Sequence, residues 1–275
     1  VATVEQKDIL LDKLVVKSAS TTLTAGTDYT AAFDDDGYVT IAIIPGGKAA
    51  SATSLTVSGV QIDPDAVTAA DIVGGVNAKG VETGMEVIRQ IYPALNMTPG
   101  ILLAPGWSEN ATVAAGLQAK TGNINGVFRA VCIVDIDSSA TGATTYTEVK
   151  QQKEKQAVTS PNCYPVWLYA KVGDVVYAGS AMAAALTVAT DAANGDIPYV
   201  SPSNKTLAIS AACLKDGTEV LLDQEQANVV NSFGVATWLN MNGFRLWGNN
   251  TACYPGNTDP KDRWFSVDRK STRLN

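Results

Sequence analysis

The chain has 275 residues, 46% hydrophobic and 17% charged, enough apolar surface to bury a large core and to divide into more than one domain, which excludes global disorder. Twenty Lys and Arg against 27 Asp and Glu leave a net charge of -7, so the molecule as a whole repels phosphate backbones and anionic lipid. Histidine is absent, which removes the commonest general base and zinc ligand and, with it, Ser-His-Asp and Cys-His hydrolysis.

The first residues, VATVEQKDILLDKL, carry charges among their apolar positions and lack the core of a signal peptide. Residues 1–63 contain short β-branched runs (LDKLVVKSA, GYVTIAII, TSLTVSGVQI) separated by Ala25-Gly26, Asp34-Asp35-Asp36-Gly37 and Pro45-Gly46-Gly47. Such runs predict a β-rich domain, a meander or small barrel. The three aspartates read as a tight turn, because the further oxygen ligands and distal glutamate of a calcium loop are missing.

Pro64 marks a junction, and residues 64–210 are expected to form an α/β domain with a mixed sheet. VETGMEVIRQIYPAL has apolar residues at helical spacing (Val81, Met85, Ile88, then Ile91 or Tyr92), with Pro93 as its end. ILLAPG and FRAVCIVDI read as strands buried on both faces, with a helix between them capped from Ser108. A charged helix follows in TYTEVKQQKEKQAV, then strands in CYPVWLYAKVGDVVYAGS and an alanine-rich helix to about Ala193. The apolar run AMAAALTVAT inside that helix is too short to span a bilayer. Beyond it, a helix after Asp223, a strand over Val235–Leu239 and two further strands, FRLWG and RWFSVDR, are expected.

Candidate chemistry is sparse. Asp135 and Asp137 end an apolar strand, where an α/β enzyme often keeps carboxylates, so a divalent-metal hydrolase or transferase is one functional alternative. A solubilised loop is the plainer reading, since Gly100, Gly106 and Gly116 make neither a dinucleotide fingerprint nor a phosphate loop. Glu82 with Glu86, and Glu5 with Asp8 and Asp12, read as solvated helix faces rather than acid-base pairs. The four cysteines form no C-x-x-C pair. Cys132 reads as a core residue, and Cys253, in a turn-rich basic segment, is the thiol to test for reactivity. In GFRLWGNNTACYPGNTDPKDRWFSVDRK, Arg245, Lys261, Arg263, Arg269 and Lys270 interleave with Trp247, Trp264 and Phe265. That mixture fits a protein interface first, a core with a solvated edge second, and a single-strand nucleic-acid platform third. A glycan- or receptor-binding role for the β-rich domain is a further alternative.

TWLNMNGFRLWGNNT, with Gly243, Arg245, Leu246, Trp247, Gly248, Asn249 and Thr251, resembles the signature of contractile-tail sheath proteins. RWFSVDRK, with Trp264, Phe265, Val267, Asp268 and Arg269, is similar to the strand that follows in that family, where an arginine pair is more usual than Arg269-Lys270. Upstream, LLAPGWSENATVAAGLQAKT followed by RAVCIVDIDS, and DAANGDIPYVSPSNKTL with Pro202, Asn204 and Lys205, resemble two further family elements in the right order. The resemblance covers about Asp71 to Lys270. It implies a multidomain α/β fold in which residues 1–63 represent at least part of a variable outer domain and 211–275 the start of a conserved inner domain, incomplete here.

The functional implication is a structural subunit of a contractile phage-type tail, without catalysis or cofactor. Such a subunit surrounds the tail tube and contracts to drive it through a target envelope. The implied partners are other sheath subunits, joined by strand exchange through terminal arms, the tail tube protein and the baseplate. Direct nucleic-acid contact and membrane insertion are not implied. The implied location is the virion tail, assembled in the bacterial host cytoplasm. Against the family pattern both ends read as shortened, and STRLN as a cloning remnant or frame-shifted end, so this polypeptide alone is expected to be monomeric.

Overall fold

The computed structural model describes residues 1–267 and residue 269; the expected Asp268, Lys270 and STRLN features lie outside them. The chain separates into two compact units, Val1–Thr68 and the chain from Ala69 onward. In the first, β1 (Ala2–Lys7), β2 (Val15–Ser18), β3 (Thr21–Thr22), β4 (Tyr29–Phe33), β5 (Tyr38–Ile43) and β6 (Thr56–Ser58) form two three-stranded antiparallel sheets, β1-β5-β4 and β3-β2-β6. Alternation in β5 sends Val39 and Ile41 into a small core with Ile9, Val16, Leu23 and Tyr29. Asp34 closes the β4–β5 turn, its Oδ1 accepting from the amides of Asp36 (3.0 Å) and Tyr38 (2.9 Å), and Gly37 takes the left-handed position (φ +83°).

The second unit begins with α1 (Ala69–Val73) and the short hairpin β7 (Gly75–Val76) and β8 (Glu82–Thr83). The continuous helix expected over VETGMEVIRQIYPAL is not present. A 3-10 helix spans Gly84–Gln90 and a separate α2 spans Ile91–Leu95. The break is steric: at Gly84 (φ +55°) an added Cβ would lie 2.6 Å from the carbonyl oxygens of Asp71 and Ile72, a close backbone crossing that fixes the chain away from α geometry. Pro93 does not end α2 but sits in its first turn, where a missing N–H costs nothing, and Asn96 (φ 53°) ends the helix in the left-handed region.

The core sheet uses β9 (Ile101–Leu102), β10 (Val131–Ile136) and β11 (Cys163–Trp167), all parallel, with Cys132 opposite Cys163. All six residues of β10 are buried. Its buried apolar run is covered by α3 (Ala111–Thr121), α4 (Val149–Lys155) and α5 (Gly179–Ala192), which all pack against it. α3 is capped by Asn110, not Ser108: Asn110 Oδ1 accepts from the Thr112 amide at 2.9 Å, while Ser108 is drawn into the core by Asp135.

On the other side of β11, Trp167 N donates to Ala236 O (2.8 Å) and Ala236 N to Pro165 O (2.9 Å), which attaches the antiparallel hairpin β15 (Thr237–Asn240) and β16 (Phe244–Trp247). Between these come β12 (Tyr169–Val172), β13 (Val175–Tyr177) and β14 (Ala211–Cys213), a small antiparallel sheet ordered β13-β12-β14, and α6 (Gln224–Ser232). α6 starts in a capping box, with Asp223 and Gln226 each accepting from the other's amide. Near the end of the described residues lies α7 (Pro260–Arg263). The molecule is thus mixed α/β with several small sheets. The described part of RWFSVDR is not a strand: Trp264 makes a single antiparallel bridge to Asn250, and Phe265–Val267 are helical. Asp259 caps α7 through the Lys261 amide and Pro260 occupies its first position, so the chain enters this region in a helical turn.

Candidate functional site

The later residues that carry the sequence resemblance, from Pro202 onward, gather around the β15–β16 hairpin. Its turn is made by Asn242 (φ 53°) and Gly243 (φ 104°), with the Gly243 amide donating to Asn240 Oδ1 at 3.2 Å. The segment after Pro202, itself buried, lies along the free edge of β16: Asn204 N donates to Leu246 O (2.6 Å), Leu246 N to Lys205 O (3.2 Å) and Leu207 N to Phe244 O (3.1 Å). Asn204 is left-handed (φ 61°), which turns its carbonyl toward Arg245, and the Arg245 guanidinium donates to that carbonyl at 3.1 Å and from Nε to Met241 O at 3.3 Å. Arg245 therefore ties the hairpin turn to the added edge segment with backbone acceptors.

Trp247 is half-buried, and its Nε1 donates to Asn228 Oδ1 at 2.8 Å. The tryptophans that fill the core are Trp167 and Trp238. Gly248 (φ 133°) leaves little room for a side chain: a Cβ there would meet Asn231 Oδ1 at 3.0 Å and Ala236 Cα at 3.1 Å. Its carbonyl accepts from the buried Tyr164 hydroxyl at 2.6 Å and its amide donates to Ser203 Oγ at 3.1 Å. Asn249 bridges Ser201 Oγ (2.8 Å) and Ser266 Oγ (3.1 Å). Thr251 is fully buried, donating from N to Arg263 O (2.8 Å) and from Oγ1 to Asp262 O (2.6 Å).

The last part of the joint is aromatic. Phe265 is buried and stacks on Tyr164 with centroids 4.1 Å apart, and the Arg263 guanidinium lies 4.3 Å from the Trp264 ring and 4.1 Å from the Tyr254 ring. Arg269 is buried, pairs with Asp191 near the end of α5 and lies over Phe265. Burial pushes the Tyr164 phenol above its ordinary value, so it remains a neutral donor. The structure thus brings Pro202, Asn204, Lys205, Arg245, Trp247, Gly248, Asn249, Thr251, Trp264 and Arg269 into one hydrogen-bonded region. Lys205 contributes its backbone there. The partners Tyr164, Asn228, Asn231, Ser201, Ser203 and Asp191 are not among the residues that the sequence singles out. Asn228 and Asn231, three apart on a helix that opens with a capping box, are the available signal that one face of α6 receives something polar.

The carboxylates singled out for metal chemistry have other employment. Asp135 is 1% exposed; its Oδ1 accepts from Ser180 N (2.7 Å) and its Oδ2 from Ser180 Oγ (2.6 Å) and Ser108 Oγ (2.9 Å). Burial raises its pKa, against the lowering effect of the Ser180 and Ser108 bonds. Asp137 Oδ1 accepts from the Ser139 amide at 2.8 Å in the loop that follows. Glu82 and Glu86 are engaged with Arg89 and Lys120 respectively. Among the described residues no three Asp, Glu or Cys side chains converge as a metal site, and no helix is long and apolar enough to cross a membrane. Cys253 is half-buried, with Sγ 3.2 Å from Thr251 Oγ1 and 3.4 Å from Asp262 O.

No protein-family model matches the chain. Two curated proteins do: a tail sheath protein of Burkholderia phage BcepMu, 30% identical over 261 residues, and a putative prophage major tail sheath protein of Pseudomonas aeruginosa strain UCBPP-PA14, 28% identical over 234 residues. The alignments take in 88% and 83% of this chain. This chain is related to the tail sheath proteins. It spans 52% and 58% of the lengths of these two tail sheath relatives. Among solved structures it is similar to a chain of the anti-feeding prophage baseplate (TM-score 0.49, 16% identity, 77% of this chain and 56% of that one). A second is the sheath tail protein of Desulfitobacterium hafniense (TM-score 0.43, 10% identity, 95% of this chain and 60% of that one).

Proposed function

We propose that this chain is the greater part of the folded body of a phage-type tail sheath subunit, a structural protein that assembles around a tail tube and contracts to drive it through a target envelope. The observation that carries the reading is the 30% identity to a tail sheath protein across 88% of the chain. The joint supports it, because the residues of the ordered motifs serve each other: Arg245 bonds backbone carbonyls, and Gly248 and Thr251 lock the following loop. In this reading Val1–Thr68 belongs to an outer, variable domain and the unit from Ala69 to the inner body. Neighbouring subunits, the tube protein and the baseplate are the partners, and the particle tail is the location. Strand addition at exposed sheet edges would join subunits while each core stays intact during rotation. The metal-enzyme alternative is disfavoured by Asp135, whose two oxygens already hold Ser108 and Ser180.

The test uses the full-length gene product with its tube protein. Arg245→Ala with Trp247→Ala is expected to reduce the fraction of intact extended sheaths seen by electron microscopy. A full-length protein that never assembles with its tube under any condition, yet turns over a small molecule saturably, overturns the reading.

A further inference from the structure

Beside the joint, α4 and the turn at residues 252–256 border a cleft of about 330 Å³ that shares Cys253 and Tyr254 with it. Its walls are mostly apolar, from Val158, Phe233, Ala252 and Pro255, and Lys153 and Glu154 line it from α4. Lys153 is 7% exposed, and two of its ammonium protons are held by Phe233 O (2.6 Å) and Tyr254 O (2.9 Å). The first carbonyl follows α6 and the second lies within the turn, so the amine is fixed in place without a carboxylate partner. One donor remains. Exposed Lys150 and exposed Glu154 add one charge of each sign to the lining, so the buried ammonium is the group left to attract an anion. A buried cation that is anchored by neutral acceptors and borders an apolar cleft matches a ligand with an anionic head and a short hydrocarbon body.

We propose that this cleft is a binding site for a small monocarboxylate with a short apolar tail, its carboxylate on Lys153 and its tail against Val158, Phe233 and Pro255. The inference is independent of the sheath reading. Removal from water lowers the Lys153 pKa to about 8, while Cys163, Cys253 and Glu154, the acidic and thiol groups around it, act in the opposite sense. Sequestered from solvent, an ammonium gains more from an anion than a surface lysine does. The ligand remains ionised throughout, so its affinity falls as the pH rises through 8 and Lys153 loses its proton.

The experiment titrates the full chain with hexanoate, and with 1-hexanol as the uncharged control, by saturation-transfer NMR at pH 7 and pH 9.5. Saturable hexanoate binding is expected at pH 7, about tenfold weaker at pH 9.5 and about tenfold weaker in Lys153→Met, the loss of one charge-assisted hydrogen bond. Thr159→Trp, at an exposed lining position, closes the mouth without touching the amine and is expected to abolish binding. Circular dichroism and thermal melting establish that each variant is folded; if Lys153→Met does not fold, Thr159→Trp and the pH comparison decide. Absence of saturable binding, equal affinity for hexanol and hexanoate, or folded variants that bind as the wild type each overturn the proposal.

Discussion

Trp247 and Trp238 separate two roles that a tryptophan-rich motif leaves merged. Trp247 is half-buried and holds one hydrogen bond to Asn228, whereas Trp238 is 1% exposed within the core of the second unit. Truncating Trp247 to Ala is expected to cost ~1–2 kcal/mol, the loss of partial burial and one bond, against ~3–5 kcal/mol for Trp238→Ala. Urea denaturation of the two variants measures the difference, and equal losses would mean that Trp247 packs as fully as Trp238. Gly248→Ala has a different origin. The left-handed backbone and the 3.0–3.1 Å approaches to Asn231 and Ala236 oppose any Cβ, so a loss of at least ~1 kcal/mol is expected with the Tyr164 hydrogen bond weakened. A Gly248→Ala protein melting with the wild type would mean that the loop relaxes freely.

Among the elements, those set by local chemistry are legible in the amino-acid order alone. The buried run of β10 and the helix after Asp223 are both expected from the sequence, as are the two strands of the β15–β16 hairpin; the structure adds the Asn242-Gly243 turn and the capping box that set their ends. Elements set by distant contacts are not legible in this way. The 3-10 turn at Gly84 exists because another stretch of backbone crosses there. Phe265 turns inward in a helical segment to stack on Tyr164, about a hundred residues earlier in the chain, and Arg269 finds Asp191 across a similar gap. The joint is therefore visible in the sequence as a list of residues, while the asparagines, serines and tyrosine that receive it are not.

Asp135 shows how such a distant partner fixes an element. It pins the start of α5 to the end of β10 through the Ser180 amide and hydroxyl. Asp135→Ala is expected to destabilise the chain by ~3 kcal/mol by leaving buried donors unsatisfied. Since burial raises its pKa in the fold, the folded state holds this proton more tightly than the unfolded one. Its contribution is greatest below the unfolded value, about 4, and is lost as pH rises through the folded value. Asp135→Asn, folded, is expected to show a flatter stability profile over that window in guanidinium titrations at a series of pH values; an unchanged slope would remove Asp135 as its source.

At the scale of the molecule the two units differ in resources. The first 68 residues bury seven apolar side chains, Ile9, Val16, Leu23, Tyr29, Val39, Ile41 and Ala49, whereas the second unit holds the large cluster around β10 and β11. A domain with so small a core is marginal. Expressed separately, residues 69–275 are expected to melt cooperatively and residues 1–68 at a temperature lower by ten degrees or more, roughly what a few kcal/mol produces at this size. Calorimetry of the intact chain showing one indivisible transition, with residues 69–275 unfolded on their own, would refute this independence.

β11 finally has a bearing on birth as well as on the finished body. Its backbone pairs with β10 as soon as both exist, yet Pro165 and Trp167 meet Ala236 only after about seventy more residues have left the ribosome, several seconds at ~5–20 residues per second. Throughout that interval the nascent chain presents a bare, apolar strand margin able to capture a wrong neighbour. Slower elongation between residues 167 and 236 should therefore lower the yield of soluble chain more than the same delay placed after residue 250.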